Sequence, residues 1–232
     1  MSQTFEVHRP LEEAYQRSIE FAIELIDPVT LERVSRGVKV IAEGLRRKPI
    51  VNASGMFVWL KEDTTALREI RIDPGVLPYQ VNTIPKNKLK LPPLPPNELP
   101  LTAIELQPRA DYVFSVGTTG IRGTLIEAGV AEQVPVRDAE VGLQWLDDDG
   151  TTWHTGPSLS RTNDKGDFVS IIRLAQVHVP NLDASGKMTV RLRAKRGGAS
   201  ERHSDPVQIP LGRVSDPSSI DKLIFAWNEL QP

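Results

Sequence analysis

The side chains of this chain that could do chemistry are few and scattered. It has 232 residues and no cysteine, which removes thiolate nucleophiles, thiolate metal sites and disulfide staples at once. Its histidines are His8, His154, His178 and His203. His178 lies between Val177 and Val179 and reads as a strand residue. Ser158 and Ser160 lack the Gly-x-Ser-x-Gly context that exposes a hydrolase nucleophile, and neither a Walker nor a Rossmann glycine loop is present. Asp147-Asp148-Asp149-Gly150 and Asn163-Asp164-Lys165-Gly166-Asp167 are oxygen-rich. The first lacks the alternating ligands and distal glutamate of a calcium loop, and the second places a lysine where a cation would sit. Asx and glycine turn chemistry accounts for both. The expectation is therefore no catalytic site, no bound metal and no cofactor.

The formal charge is −2, with a pI near 6.1, so there is no bulk attraction to nucleic acid or to anionic lipid. Arg191-Leu192-Arg193-Ala194-Lys195-Arg196 is locally basic. Without interleaved aromatics for base stacking, it reads as an edge or half-exposed strand with arginines outward at every other residue. The first ten residues carry no long apolar core and no small-residue cleavage pattern, so no secretory signal is expected. No later run approaches a membrane-spanning length. The location expected is the cytoplasm or an assembled particle.

The elements that would position any site read as short strands. Ile19, Phe21, Ile23 and Leu25 alternate with polar or small residues, the period of a strand with one buried face. Val38 to Ala42, Met56 to Leu60, Leu67 to Ile72, Leu101 to Leu106 and Tyr112 to Val116 supply further strands of a first half. Ile121 to Leu125, Ala139 to Trp145, Phe168 to Leu174, Met188 to Ala194 and Val207 to Leu211 supply those of a second. Between them stand turn signals such as Asp73-Pro74-Gly75 and Asp149-Gly150. One phrase occurs twice: Asn52-Ala-Ser-Gly55-Met-Phe57 and Asn163-Asp-Lys-Gly166-Asp-Phe168, each after an alternating segment and a connection. The prediction is an all-β protein of two tandem antiparallel β-sandwich domains, residues 1–117 and 118–232.

Two segments break the strand pattern. Residues 81–100 carry six prolines around Lys86, Lys88 and Lys90. The segment is expected to stay out of any sheet as an exposed polyproline loop, with Pro92, Pro93, Pro95 and Pro96 offering a Pro-x-x-Pro docking motif. Near the C-terminus, Ser218 and Asp221 resemble a capping box, and Ile220, Leu223, Ile224 and Trp227 fall on one helical face. A short helix over 218–230 is expected, serving either as a lid on its own sandwich or as an anchor on a partner.

The second half, through Gly123-Thr124-Leu125, Ala139-Glu-Val141-Gly-Leu143 and Thr162-Asn163-Asp-Lys-Gly166-Asp-Phe168, resembles the carboxypeptidase-regulatory-like, or transthyretin-like, β-sandwich family. Asp138 stands where that family commonly has glycine. The first half is similar through Gly37-Val38-Lys39-Val40 and Asn52 to Phe57. Such modules are grafted onto peptidases, surface proteins, transporters and phage-tail-like assemblies, so the resemblance speaks to fold and not to reaction. Iron-binding relatives would need paired Tyr and His ligands, and Tyr15, Tyr79 and Tyr112 have no histidine at ligand spacing. The functional expectation is a non-catalytic structural or adaptor protein contacting other subunits of an assembly, such as a contractile injection particle, with self-association open. The alternatives are a carbohydrate-binding or adhesive module using Trp145 and Trp153, and a metal-dependent enzyme using His154, His203 and nearby carboxylates.

Overall fold

The computed structural model describes residues 19–60, 63–127, 133–175, 177–218 and 223–232. Ile220 of the expected docking stripe and Asp221 of the expected capping box lie outside these residues. No helix among the described residues is long and apolar enough to cross a membrane.

The fold is built almost wholly from strands. In the first half, β1 (Ile19–Ile26), β3 (Ile50–Val51), β4 (Phe57–Leu60) and β7 (Leu101–Glu105) form a sheet of order β3-β4-β1-β7. The facing sheet has the order β2-β5-β6, from β2 (Lys39–Glu43), β5 (Glu69–Asp73) and β6 (Asn82–Pro85). Period-two alternation sends Phe21, Ile23 and Leu25 into the core, with Trp59 stacked on Phe21 at 4.5 Å. Ile19 escapes that pattern because the β1–β4 register shifts between it and Phe21, and it is 52% exposed.

In the second half, β8 (Thr119–Ile126), β11 (Asp167–Ile172), β15 (Val214–Ser215) and β16 (Ile224–Ala226) make one sheet. The other holds β9 (Glu140–Leu146), β10 (Trp153–Arg161), β12 (Lys187–Lys195), β13 (Arg202–His203) and β14 (Val207–Pro210). Their buried side chains form a second core that shares no residue with the first.

The two halves follow one pairing scheme. β1 pairs antiparallel with β4 and parallel with β7, as β8 pairs antiparallel with β11 and parallel with β15. β5 lies between β2 and β6, as β12 lies between β9 and β14, all antiparallel. The repeated Asn-x-x-Gly turn enters β4 in one half and β11 in the other. In each turn the glycine N–H donates to the asparagine carbonyl, and the asparagine Oδ1 accepts from a backbone amide just before the buried phenylalanine. At Gly166, φ is +77° and an added Cβ would lie 2.3 Å from the Leu125 carbonyl oxygen, so only glycine fits. The same turn chemistry recurs at Asp183 to Gly186 before β12. The motif alone is thus a generic turn, and its placement before β4 and β11 is what marks the repeat. One matched strand pairs differently, since β3 pairs with β4 whereas its counterpart β10 pairs with β9 in the opposite sheet, and β13 and β16 have no counterpart in the first half.

Several expectations are corrected. The C-terminal segment does not run as one helix to residue 230: 224–226 of the expected 218–230 form a strand, and 219–222 lie outside the described residues. β16 adds parallel to β8, with Ile224 opposite Thr124 and Phe225 opposite Leu125, and a short 3-10 turn follows at Trp227–Glu229. Leu223, Phe225 and Trp227 point inward at period two and Ile224 is 44% exposed. An open edge on β8 overrode the helical spacing, and the Ser218 hydroxyl donates to Asp216. The proline segment does enter a sheet, because Asn82–Pro85 is an edge strand with proline only at its end. Tyr112 to Val116 is not a strand; the Tyr112 carbonyl is taken by a side chain, as described below. Arg191 to Lys195 of the basic stretch lie in β12, which has partners on both sides, so it is no edge, although Arg191 and Arg193 do face outward. His178 sits in a loop, packed against Trp145 at 5.0 Å.

Candidate functional site

A polar cluster ties the two halves together, and it begins with Asp27 at the end of β1. Pro28 stops the strand, and Asp27 Oδ1 accepts from the amides of Val29 and Thr30 in an Asx turn. Its other oxygen, Oδ2, accepts from the hydroxyls of Tyr79 at 2.5 Å and Tyr112 at 2.6 Å. The carboxylate is 5% exposed. Burial alone would raise its pKa, but the two hydroxyls and two amides outweigh it and hold the group below the ordinary carboxylate value. Both phenols are pushed well above their ordinary value, first by burial and then by the bond to Asp27.

From this node two arms reach the second half. Tyr79 is followed by Gln80, whose side-chain amide pairs with the Arg161 peptide: Nε2 donates to its carbonyl at 2.6 Å, and Oε1 accepts from its N–H at 3.1 Å. Tyr112 lies in the segment leading to β8. The Arg122 guanidinium of β8 donates to the carbonyls of Ala110 and Tyr112 and sits 5.3 Å from the Phe114 ring centroid. A third tie is the ion pair from Arg173 to Glu105. Val169 and Ile171 of β11, opposite Arg122 and Gly120 of β8, are fully buried but belong to neither core. Between the arms opens a cleft of about 930 Å³. Its charges are mixed, with Arg109 paired to Asp111 at 2.6 Å and Asp138, Arg161 and Lys165 along the walls.

The residues expected to dock a partner fall into two groups. Pro92, Pro93, Pro95 and Pro96 are exposed. They form the tip of a segment anchored on both sides: Leu89 and Leu91 pack on the first core, and the Lys90 N–H donates to Thr102 Oγ1. Lys86 Nζ donates to the Thr64 carbonyl at 2.6 Å. The segment is thereby tied to β7 through the Thr102 side chain. Leu223 and Trp227 belong to the second core and are not available for docking, while Ile224 is exposed.

The residues of the alternative readings separate. Trp145 and Trp153 face opposite sides of one sheet, since β9–β10 pairing sets Trp145 against His154 and Trp153 against Leu146. Trp145 is buried, and the Arg191 guanidinium covers Trp153 at 4.2 Å. His154 shares the inner face with Trp145, stacked at 4.3 Å and 2.9 Å from Asp147. His203 pairs with Arg193 on the outer face, so the two histidines do not converge. His203 lies 3.3 Å from Glu201 without a hydrogen bond in good alignment. Burial, then the nearby Arg191, lowers its pKa. No group of three or more metal-binding side chains assembles among the described residues.

No family model and no curated protein matches the chain. Among solved structures it is similar to the Bacillus anthracis TIE protein, with 14% identity over 86% of this chain and 33% of that one, at a TM-score of 0.25. It spans about a third of that protein's length. It is also similar to the shaft pilin spaA from Lactobacillus rhamnosus GG, with 6% identity over 86% of this chain and 96% of that one, again at a TM-score of 0.25. Overlap this loose identifies no relative.

Proposed function

We propose that this protein is a non-catalytic structural subunit, a stiff two-module spacer that contacts other protein chains within a larger assembly. The observation that carries this reading is the junction. Three polar ties, Gln80 to Arg161, Arg122 to the Ala110 and Tyr112 carbonyls, and Arg173 to Glu105, bridge the halves. Flexible tandem domains are commonly joined by a solvated linker with few contacts across it. Here the connecting backbone is itself hydrogen-bonded by the second module, and a fixed relative orientation is what a scaffold needs. The exposed proline tip projects from the first module on an anchored base and presents a rigid, low-entropy surface to a partner. A contractile injection particle is one assembly in which such a spacer would serve.

The test is chemical crosslinking at native expression level, followed by mass spectrometry. The expected result is reproducible crosslinks from Lys88 and Lys90, beside the proline tip, to defined positions on another chain of one large particle. Recovery of the protein solely as a free monomer, with crosslinks only within itself, would contradict the proposal.

A further inference from the structure

We infer that Asp27 is the lock of the module junction: one buried carboxylate holds the two tyrosines from which both main arms to the second module extend. This rests on the stiff-spacer reading and adds the device that makes the spacer stiff. The argument is geometric. Tyr79 and Tyr112 are 52 and 85 residues from Asp27 in sequence, yet their hydroxyls meet on the same oxygen at 2.5 and 2.6 Å. Their rings lie 5.7 Å apart, and Tyr112 in turn packs on Phe114 at 4.7 Å, the ring beneath Arg122.

Each tyrosine is coupled to a junction contact through its own backbone. Gln80, next to Tyr79, donates its N–H to the Gln107 carbonyl and gives its side chain to Arg161. The Tyr112 carbonyl is one of the two held by Arg122. The segments of residues 78–80 and 107–112 are themselves cross-linked by the Arg109 N–H to the Pro78 carbonyl and by the Tyr79–Pro108 bridge. They therefore move as one strap, and the strap is fastened to the first module's β1 through Asp27. Hydrogen bonds to a buried charge are the strong kind, about twice a neutral pair. An asparagine at this position keeps the shape but removes the charge and half the acceptor capacity at the oxygens.

The test uses the full chain. Because it has no cysteine, spin labels can be placed uniquely at Lys48→Cys in the first module and Ser200→Cys in the second, both exposed positions. The interlabel distance distribution is then measured by pulsed electron resonance. The unaltered junction should give one narrow peak, and Asp27→Asn and Tyr112→Phe should each lose that peak to a broad distribution. Val40→Ala, a core change on β2 of the same module, should keep it. If Asp27→Asn unfolds the first module, as circular dichroism would show, Tyr112→Phe and Tyr79→Phe decide. Tyrosine variants as narrow as the parent would overturn the lock, as would a Val40→Ala variant equally broadened. A parent distribution that is already broad would instead refute the stiff spacer itself, so the two failures are distinguishable.

Discussion

Deleting residues 219–232 should unfold the second module, although a helix docked on a partner could have been removed at little cost. The deleted segment supplies Leu223, Phe225, Trp227 and Leu230, each at most 8% exposed in the second core. At about 1.5–3 kcal/mol for each large apolar side chain buried, they contribute roughly 6–12 kcal/mol. That matches the whole net stability of an ordinary domain, about 5–15 kcal/mol. The loss of β16 also uncovers the edge of β8 along Thr124 to Ile126. Single changes should scale accordingly: Phe225→Ala, whose ring lies 6.0 Å from Phe168, should cost about 3–5 kcal/mol. The assay is calorimetry of the full and truncated chains, with the first module's unfolding as internal reference. A truncated chain whose second module melts within a few degrees of the parent would refute the placement of this segment in the core.

Phe57→Ala and Phe168→Ala should each cost about 3–5 kcal/mol, measured as denaturant midpoints of different modules, because the rings fill separate cores. In the proline segment, replacing the tip residues Pro92 to Pro96 with a glycine-serine run of equal length should leave the melting temperature nearly unchanged. Leu89→Ala or Leu91→Ala should each cost about 1–2 kcal/mol, since these side chains are partly buried on the first core. Acid should weaken the first module through Asp27. A folded pKa below the ordinary 3.8 contributes stability that is present above that value and lost as pH falls through the folded pKa. Stability measured downward from pH 5 should therefore fall less steeply in Asp27→Asn than in the parent.

The strands and their cores were legible because alternation reports burial directly. Phe21, Ile23, Leu25, Val40, Ala42, Ile70 and Ile72 all point inward as their spacing implies. The equivalence of Gly55 and Gly166 was also legible, because a positive-φ turn before an inward phenylalanine constrains residue type. The fate of the C-terminal segment was not. Leu223, Phe225 and Trp227 suit a strand as well as Leu223, Ile224 and Trp227 suit a helix, and only the open edge of β8 decides between them. Which face each tryptophan takes was equally hidden, since a one-residue change in hairpin register exchanges the faces. The Asp27 node left no local signal: Asp27-Pro28 reads as a strand stop, and its partners come from distant loops. Two of only three tyrosines in the chain are committed to it, a clue that becomes readable once the fold brings them together.

The most direct test of the central claim, that the two sandwiches act as one stiff unit, is small-angle X-ray scattering of the full chain across a dilution series. The account expects a concentration-independent profile described by a single relative orientation of the modules. Arg122→Ala should expand it, because the Ala110 and Tyr112 carbonyls would then be released. A parent profile that requires an ensemble of module orientations, or one indistinguishable from that of Arg122→Ala, would contradict it.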